Sequence, residues 1–132
     1  MTVGTPNSDQ VALTENLTPL PDGAVDLGNI RFSSTDMGTI AAAGTTLATG
    51  TTVPYHATLV TGASGTNGVT LPTMNIGETY NVGNANASNA LLVYPSASTI
   101  KIQAGAAGAA YSVAASAGIS FTLISATQIL AQ

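Results

Sequence analysis

From about residue 55 onward, short apolar runs alternate with hydroxyl- and amide-bearing residues, and Gly, Asn, Pro and Ser interrupt them at close intervals. Period-two alternation bounded by turn formers is the pattern of short β-strands. It predicts strands at Tyr55 to Val60, Val69 to Leu71, Thr79 to Gly83, Leu91 to Tyr94, Thr99 to Ile102, Tyr111 to Ala114, Ile119 to Ser125 and Gln128 to Ala131. In the clearest of these, Ile119, Phe121 and Leu123 point to one face and Ser120 and Thr122 to the other. Asn67-Gly68 favours left-handed backbone angles and marks a turn. The alanine-rich piece from Ala104 to Ala110 is broken by Gly105 and Gly108 and sits between two strands, which makes it a close-packed connection rather than a helix. Tyr80-Asn-Val82 and Tyr111-Ser-Val113 echo each other, but two echoes do not make a repeat.

The first part of the chain reads differently. Three of the six prolines fall before residue 28, with Asn7, Ser8, Asp9, Asp22 and Gly23 among them, and this rules against a sustained helix or a central strand. Val11, Leu13, Leu17, Leu20, Val25 and Leu27 are too many for a solvated linker and too irregular for an amphipathic helix. An arm with spaced apolar anchors lies along another surface, either its own domain or a partner subunit, and these six residues are its expected contacts. Asn29 to Ser33 forms a possible short strand. Between Thr39 and Gly50 the alanines suggest a helix, but Gly44, Gly50 and the paired threonines oppose it. The expected organisation is an arm over residues 1–50, with one or more short strands, followed by a β domain over residues 51–132. The expected fold is all-β: a small antiparallel sandwich or barrel with an extended N-terminal arm.

Composition supports the strands and bears on partners. Only eight residues are charged, and Thr, Ser and Asn supply the polar surface. Net charge and interspersed Lys and Glu keep sheet proteins apart, so a surface this neutral is expected to associate with copies of itself. A single Arg31 and a single Lys101, in a chain of net charge −4, leave nothing to neutralise a phosphate backbone. Nucleic acid is therefore excluded as a partner. No stretch reaches the 18 or so apolar residues of a membrane span, and the N-terminus lacks the basic and apolar regions of a secretory signal. Membrane contact is not expected, and synthesis in a cytoplasm without export by this chain's own signal is.

Candidate chemistry is sparse. His56 is the only histidine, and without a base in reach of a nucleophile it reads as a packing or surface residue. Gly62-Ala-Ser-Gly65 lacks the spacing of a nucleophile elbow. A glycosidase needs two converging carboxylates, but Asp9, Glu15, Asp22, Asp26 and Asp36 lie in or just after the arm. Glu78 then stands alone and reads as an exposed strand-opening residue. With no cysteine and no calcium loop, neither a zinc nor an EF-hand site is encoded, and Asp22 and Asp26 fit turn and capping roles. Gly62, Gly65 and Gly68 lack the lysine and helix of a phosphate loop. Asn16-Leu-Thr18 and Asn86-Ala-Ser88 match the glycosylation pattern but carry no weight without a signal. Tyr55, Tyr80, Tyr94, Tyr111, Phe32 and Phe121 all fall within strands, so core or interface packing is expected of them before sugar stacking. No catalytic residue, cofactor, metal or small-molecule substrate is expected.

One resemblance goes further. Val69-Thr-Leu-Pro72, Gly77 with Tyr80-Asn-Val-Gly-Asn84, Ala90-Leu-Leu-Val-Tyr-Pro95, Thr99-Ile100, Ser112-Val-Ala-Ala115, Phe121 and Ser125-Ala-Thr127 follow one another in the order of a module that recurs in tailed-bacteriophage virion proteins. Over roughly residues 55 to 131 the chain resembles capsid decoration and head fibre proteins. It departs from them at Gln128-Ile129, where Trp is common, and at Ile100-Lys-Ile-Gln103, where Ile-Asn-Gly is usual. The resemblance implies a structural virion protein on the outer capsid surface, bound to the major capsid protein and, as a homotrimer, to itself. A tail fibre or receptor-binding domain, with Asn84 to Asn89 or loop aromatics touching a host glycan, is the alternative. The module has no catalytic residues to carry over.

Overall fold

A computed structural model describes residues 36–132. The described chain is all-β, and its ten strands are β1 (Met37–Ala41), β2 (Thr51–Thr52), β3 (Ala57–Thr61), β4 (Gly68–Thr70), β5 (Thr79–Asn84), β6 (Leu91–Tyr94), β7 (Lys101–Ile102), β8 (Tyr111–Val113), β9 (Gly118–Ser125) and β10 (Gln128–Ala131). They form a six-stranded sheet, ordered β1-β3-β5-β9-β10-β7, and a four-stranded sheet, ordered β2-β4-β6-β8.

The order shows how the chain winds. From β1 to β6, successive strands alternate between the two sheets, and from β3 on each returns parallel to the strand two before it. β1 pairs with β3 and β3 with β5 in one sheet, while β2 pairs with β4 and β4 with β6 in the other. Three coils result: β1 with β2, β3 with β4, and β5 with β6. This is a β-solenoid, and the expectation of an antiparallel sandwich or barrel is corrected. Antiparallel pairing is confined to the closing strands, where β8 runs against β6, β9 against β5 and β10 against β9. The short strand expected at Asn29 to Ser33 lies outside the described residues, and β1 falls after it.

Each coil repeats the same internal choices. Thr51, Val69 and Val93 are in register across the second sheet. The ladder runs on past the strand ends, because Val53 N–H donates to Thr70 O and Leu71 N–H to Tyr94 O, both at 2.9 Å. Val53, Val69, Leu71, Leu91, Val93 and Val113 from this side meet Val60, Val82, Phe121 and Ile129 from the other in one buried cluster. Burial stabilises each such side chain by about 1.5–3 kcal/mol relative to exposure. Tyr111 packs edge-on against Phe121, with ring centroids 5.6 Å apart, and so ties the two sheets together.

Coil stacking also requires close backbone approach. A Cβ on Gly68 would collide with the carbonyl oxygen of Leu92 on the next coil, which explains glycine at that corner. Asn67 fastens the same corner, its Nδ2 donating to Gly62 O (2.8 Å) and Ala42 O (3.3 Å) while its Oδ1 accepts from Ser64 N–H (2.8 Å). Tyr94 OH donates to Thr45 O at 2.7 Å, linking the third coil to the first.

Candidate functional site

Two features stand out, a broad outer face and a polar corner. The face belongs to the six-stranded sheet. Alternation turns Thr58, Val60, Tyr80, Val82, Phe121 and Leu123 inward, and their neighbours in sequence outward. The outward rows are in register: Met37, Ala57, Asn81 and Ser120 form one, and Thr39, Leu59, Gly83 and Gly118 the next. Together they line a shallow groove of about 600 Å³. Met37 (55% exposed), Leu59 (47%) and Ile124 (50%) all project from this face, and among the described residues the only other exposed large apolar side chain is Ile76. Polar groups on the face bond to one another, Ser120 Oγ donating to Asn81 Oδ1 (2.6 Å) and the Thr79 and Thr122 hydroxyls lying 2.7 Å apart. No residue lining the groove is charged.

The reading of the sequence missed this face for a physical reason. In Ala57-Thr-Leu-Val-Thr61 the inward positions are Thr58 and Val60, which leaves Leu59 outside. Thr58 tolerates burial because its hydroxyl donates to Tyr55 O at 2.9 Å. The available signal was the Leu59-Val60 pair itself, since neighbours on a strand cannot both face inward.

The polar corner lies where β5 begins. His56 and Tyr80 are each one position before the Ala57–Asn81 register pair, so their rings stack, with centroids 4.5 Å apart. His56 Nε2 lies 3.1 Å from Glu78 Oε1, which also accepts from Tyr80 OH at 3.3 Å. The other carboxylate oxygen accepts from Asn75 N–H at 2.8 Å and from Asn75 Nδ2 at 3.4 Å. The Asn75 N–H holds the Glu78 carboxyl below its usual range, against partial burial working the other way and with help from His56 and Tyr80. Burial first, then the negative charge of Glu78, raises the Tyr80 phenol. Both Glu78 oxygens are thus bound within the chain, and the group clasps the second coil to the third. Glu78, expected to stand alone, has partners, and His56 is a partly exposed member of the clasp.

Other residues singled out from sequence fall as follows. Val11, Leu13, Leu17, Leu20, Val25 and Leu27 lie outside the described residues, as do Phe32, Asp22 and Asp26. Tyr80, Tyr94 and Phe121 are buried in or beside the core. Asn84 is buried, with Nδ2 donating to the carbonyls of Asn89 (2.8 Å), Ala114 (3.1 Å) and Val113 (3.3 Å). Its Oδ1 accepts from Asn86 N–H at 3.0 Å. The Asn86 side chain donates to Ala63 O and accepts from the Ser88 and Asn89 N–H groups. These amides hold the turn, and a glycan would have to compete with those bonds.

Among the described residues no group of three His, Cys, Asp or Glu could hold a metal ion, and no helix is long and apolar enough to cross a membrane. Compared with protein-family models, curated proteins and solved structures, the chain matches none.

Proposed function

We propose that this chain is a structural virion protein that decorates and stabilises a bacteriophage capsid as a homotrimer on the outer shell, and that it performs no reaction. The observation that carries the reading is the groove on the outer face of the six-stranded sheet, an uncharged surface that presents Met37 and Leu59 among threonine, serine and asparagine. Met37 and Leu59 line one groove, and an exposed apolar patch marks a surface made to be covered. The sequence resemblance to capsid decoration and head fibre proteins supports the same reading. A decorating protein meets many equivalent sites, and a trimer on local three-fold positions satisfies them with one repeated interface. The arm, with Val11, Leu13, Leu17, Leu20, Val25 and Leu27, is assigned to the major capsid protein.

Binding of this kind is apolar and hydrogen-bonded. Between roughly 0.1 M and 1 M salt the Debye length falls from about 10 Å to about 3 Å, which weakens charge-driven contacts and spares this one. Purified shells mixed with the protein should therefore retain it on pelleting in molar salt. Imaging of decorated particles should place its density on the head. Steep loss of binding with salt would overturn the binding mode, and density on the tail would overturn the assignment in favour of receptor binding.

A further inference from the structure

The corner at which the three coils meet rests on Asn67-Gly68, the one Asn-Gly pair in the chain. The fold demands each of the two residues. A Cβ on Gly68 would collide with Leu92 O, so no other residue fits there. At Asn67 the corner needs an acceptor and a donor on one side chain, because Oδ1 takes the Ser64 N–H while Nδ2 serves Gly62 O and Ala42 O. An ionised aspartate would offer acceptors only. The backbone of the pair binds on both sides: Gly68 N–H donates to Gly44 O (3.0 Å), Ala43 N–H to Gly68 O (3.1 Å) and Leu92 N–H to Asn67 O (3.3 Å).

The same pair is chemically labile. Glycine has no side chain to obstruct its nitrogen, so in an open chain the Gly68 nitrogen reaches the carbonyl carbon of the Asn67 side chain. A bond forms between Gly68 N and Asn67 Cγ, the bond from Cγ to Nδ2 breaks, and the Gly68 amide proton passes by way of solvent to the departing ammonia. Water then opens the five-membered succinimide at one of its two carbonyls, giving aspartate or its β-linked isomer. The step needs water and no oxidant.

In the folded chain every group in that step is occupied. Gly68 is buried and its proton is committed to Gly44 O, the leaving amide is held by two carbonyls, and Oδ1 is fixed by the Ser64 N–H. The loop leading to the pair is the weak point, since Gly62, Ser64, Gly65 and Thr66 are all exposed. Exposed loops open locally at lower free energy than core strands do.

We propose that Asn67 is a deamidation site held in check by the closed corner, and that a chain whose corner stays open is converted and cannot close it again. After conversion a carboxylate stands where Gly62 O and Ala42 O require a donor. The β-linked product also lengthens the backbone at the point where the three coils meet. Opening of this protein is thereby reversible at first and irreversible later.

Peptide mapping by mass spectrometry tests this on the full chain, kept at mildly alkaline pH in buffer and in denaturing urea. Replacing the amide –NH2 by –OH adds one mass unit. In urea that gain should appear at Asn67 before any other asparagine, and in buffer it should appear there at least about tenfold more slowly. Asn67→Gln, whose longer side chain closes the ring far less readily, should abolish the gain at this position. Asn67→Asp, expressed directly, should unfold at lower urea than the wild-type chain or fail to fold. Equal rates in buffer and urea would overturn the gating, and faster conversion of another asparagine in urea would overturn the site. An Asn67→Asp chain with the wild-type urea midpoint would overturn the irreversible step.

Discussion

The two ends of β5 solve the same problem with different chemistry. Each must fix the third coil to its neighbours through polar groups. At the start, Glu78 joins His56, Tyr80 and Asn75 in a cluster still open to water, with 38% of the His56 side chain exposed. At the end, Asn84 is 2% exposed and uses a neutral amide to satisfy three carbonyls and one N–H. Water competes for every bond at the first end and for almost none at the second. The exposed charged cluster should therefore contribute little, and the buried neutral amide should be hard to replace.

The largest expected effect comes from Asn84→Asp, which keeps the shape but turns an acceptor toward three carbonyl oxygens. An uncompensated buried charge costs roughly 3–5 kcal/mol, and the urea midpoint should fall accordingly at neutral pH. Asn84→Ala leaves the same carbonyls without a donor and should cost about 2–3 kcal/mol in the same measurement. At the other end, His56→Ala and Glu78→Gln should each cost about 1 kcal/mol or less, with a coupling near 0.5 kcal/mol in a double-mutant cycle. Equal losses at the two ends would break the comparison.

The smallest effect is a pH slope. The Glu78 carboxyl titrates below its ordinary value of 4.5 when folded, so its contribution to stability is complete above that value and is lost as pH falls through the depressed one. Denaturation midpoints followed downward from pH 5 should show this loss in the wild-type chain and in Asn84→Ala. Glu78→Gln should lack that share of the slope.

Strand content was legible because it depends on local pattern. β6 and β10 fall on the expected residues, and Ile119, Phe121 and Leu123 follow the expected alternation, although only Phe121 and Leu123 are fully buried. Direction and pairing were not legible, because strands as short as the two residues of β2 carry no record of their partners. The coil offset also varies: Met37 pairs with Ala57, but Ala57 pairs with Asn81, so no fixed period appears in the sequence. The Tyr-x-Val echo drew attention to Tyr80 and Tyr111, which lie in different sheets. The true neighbour of Tyr80 is His56, and only the parallel register reveals it. The groove was hidden for the same reason, since Leu59, Gly83 and Gly118 share a surface only after coiling.

β9, which follows the first eight described strands in the chain, lies between β5 and β10 in the sheet. During synthesis from the N-terminus the third coil therefore waits, with one long edge bare, until residues 118–125 leave the ribosome. Such delayed long-range pairing slows folding and exposes an edge to other nascent chains. Chains stalled at Ser116 should aggregate, whereas chains extended to Gln132 should not, and pelleting assays on the two would show it.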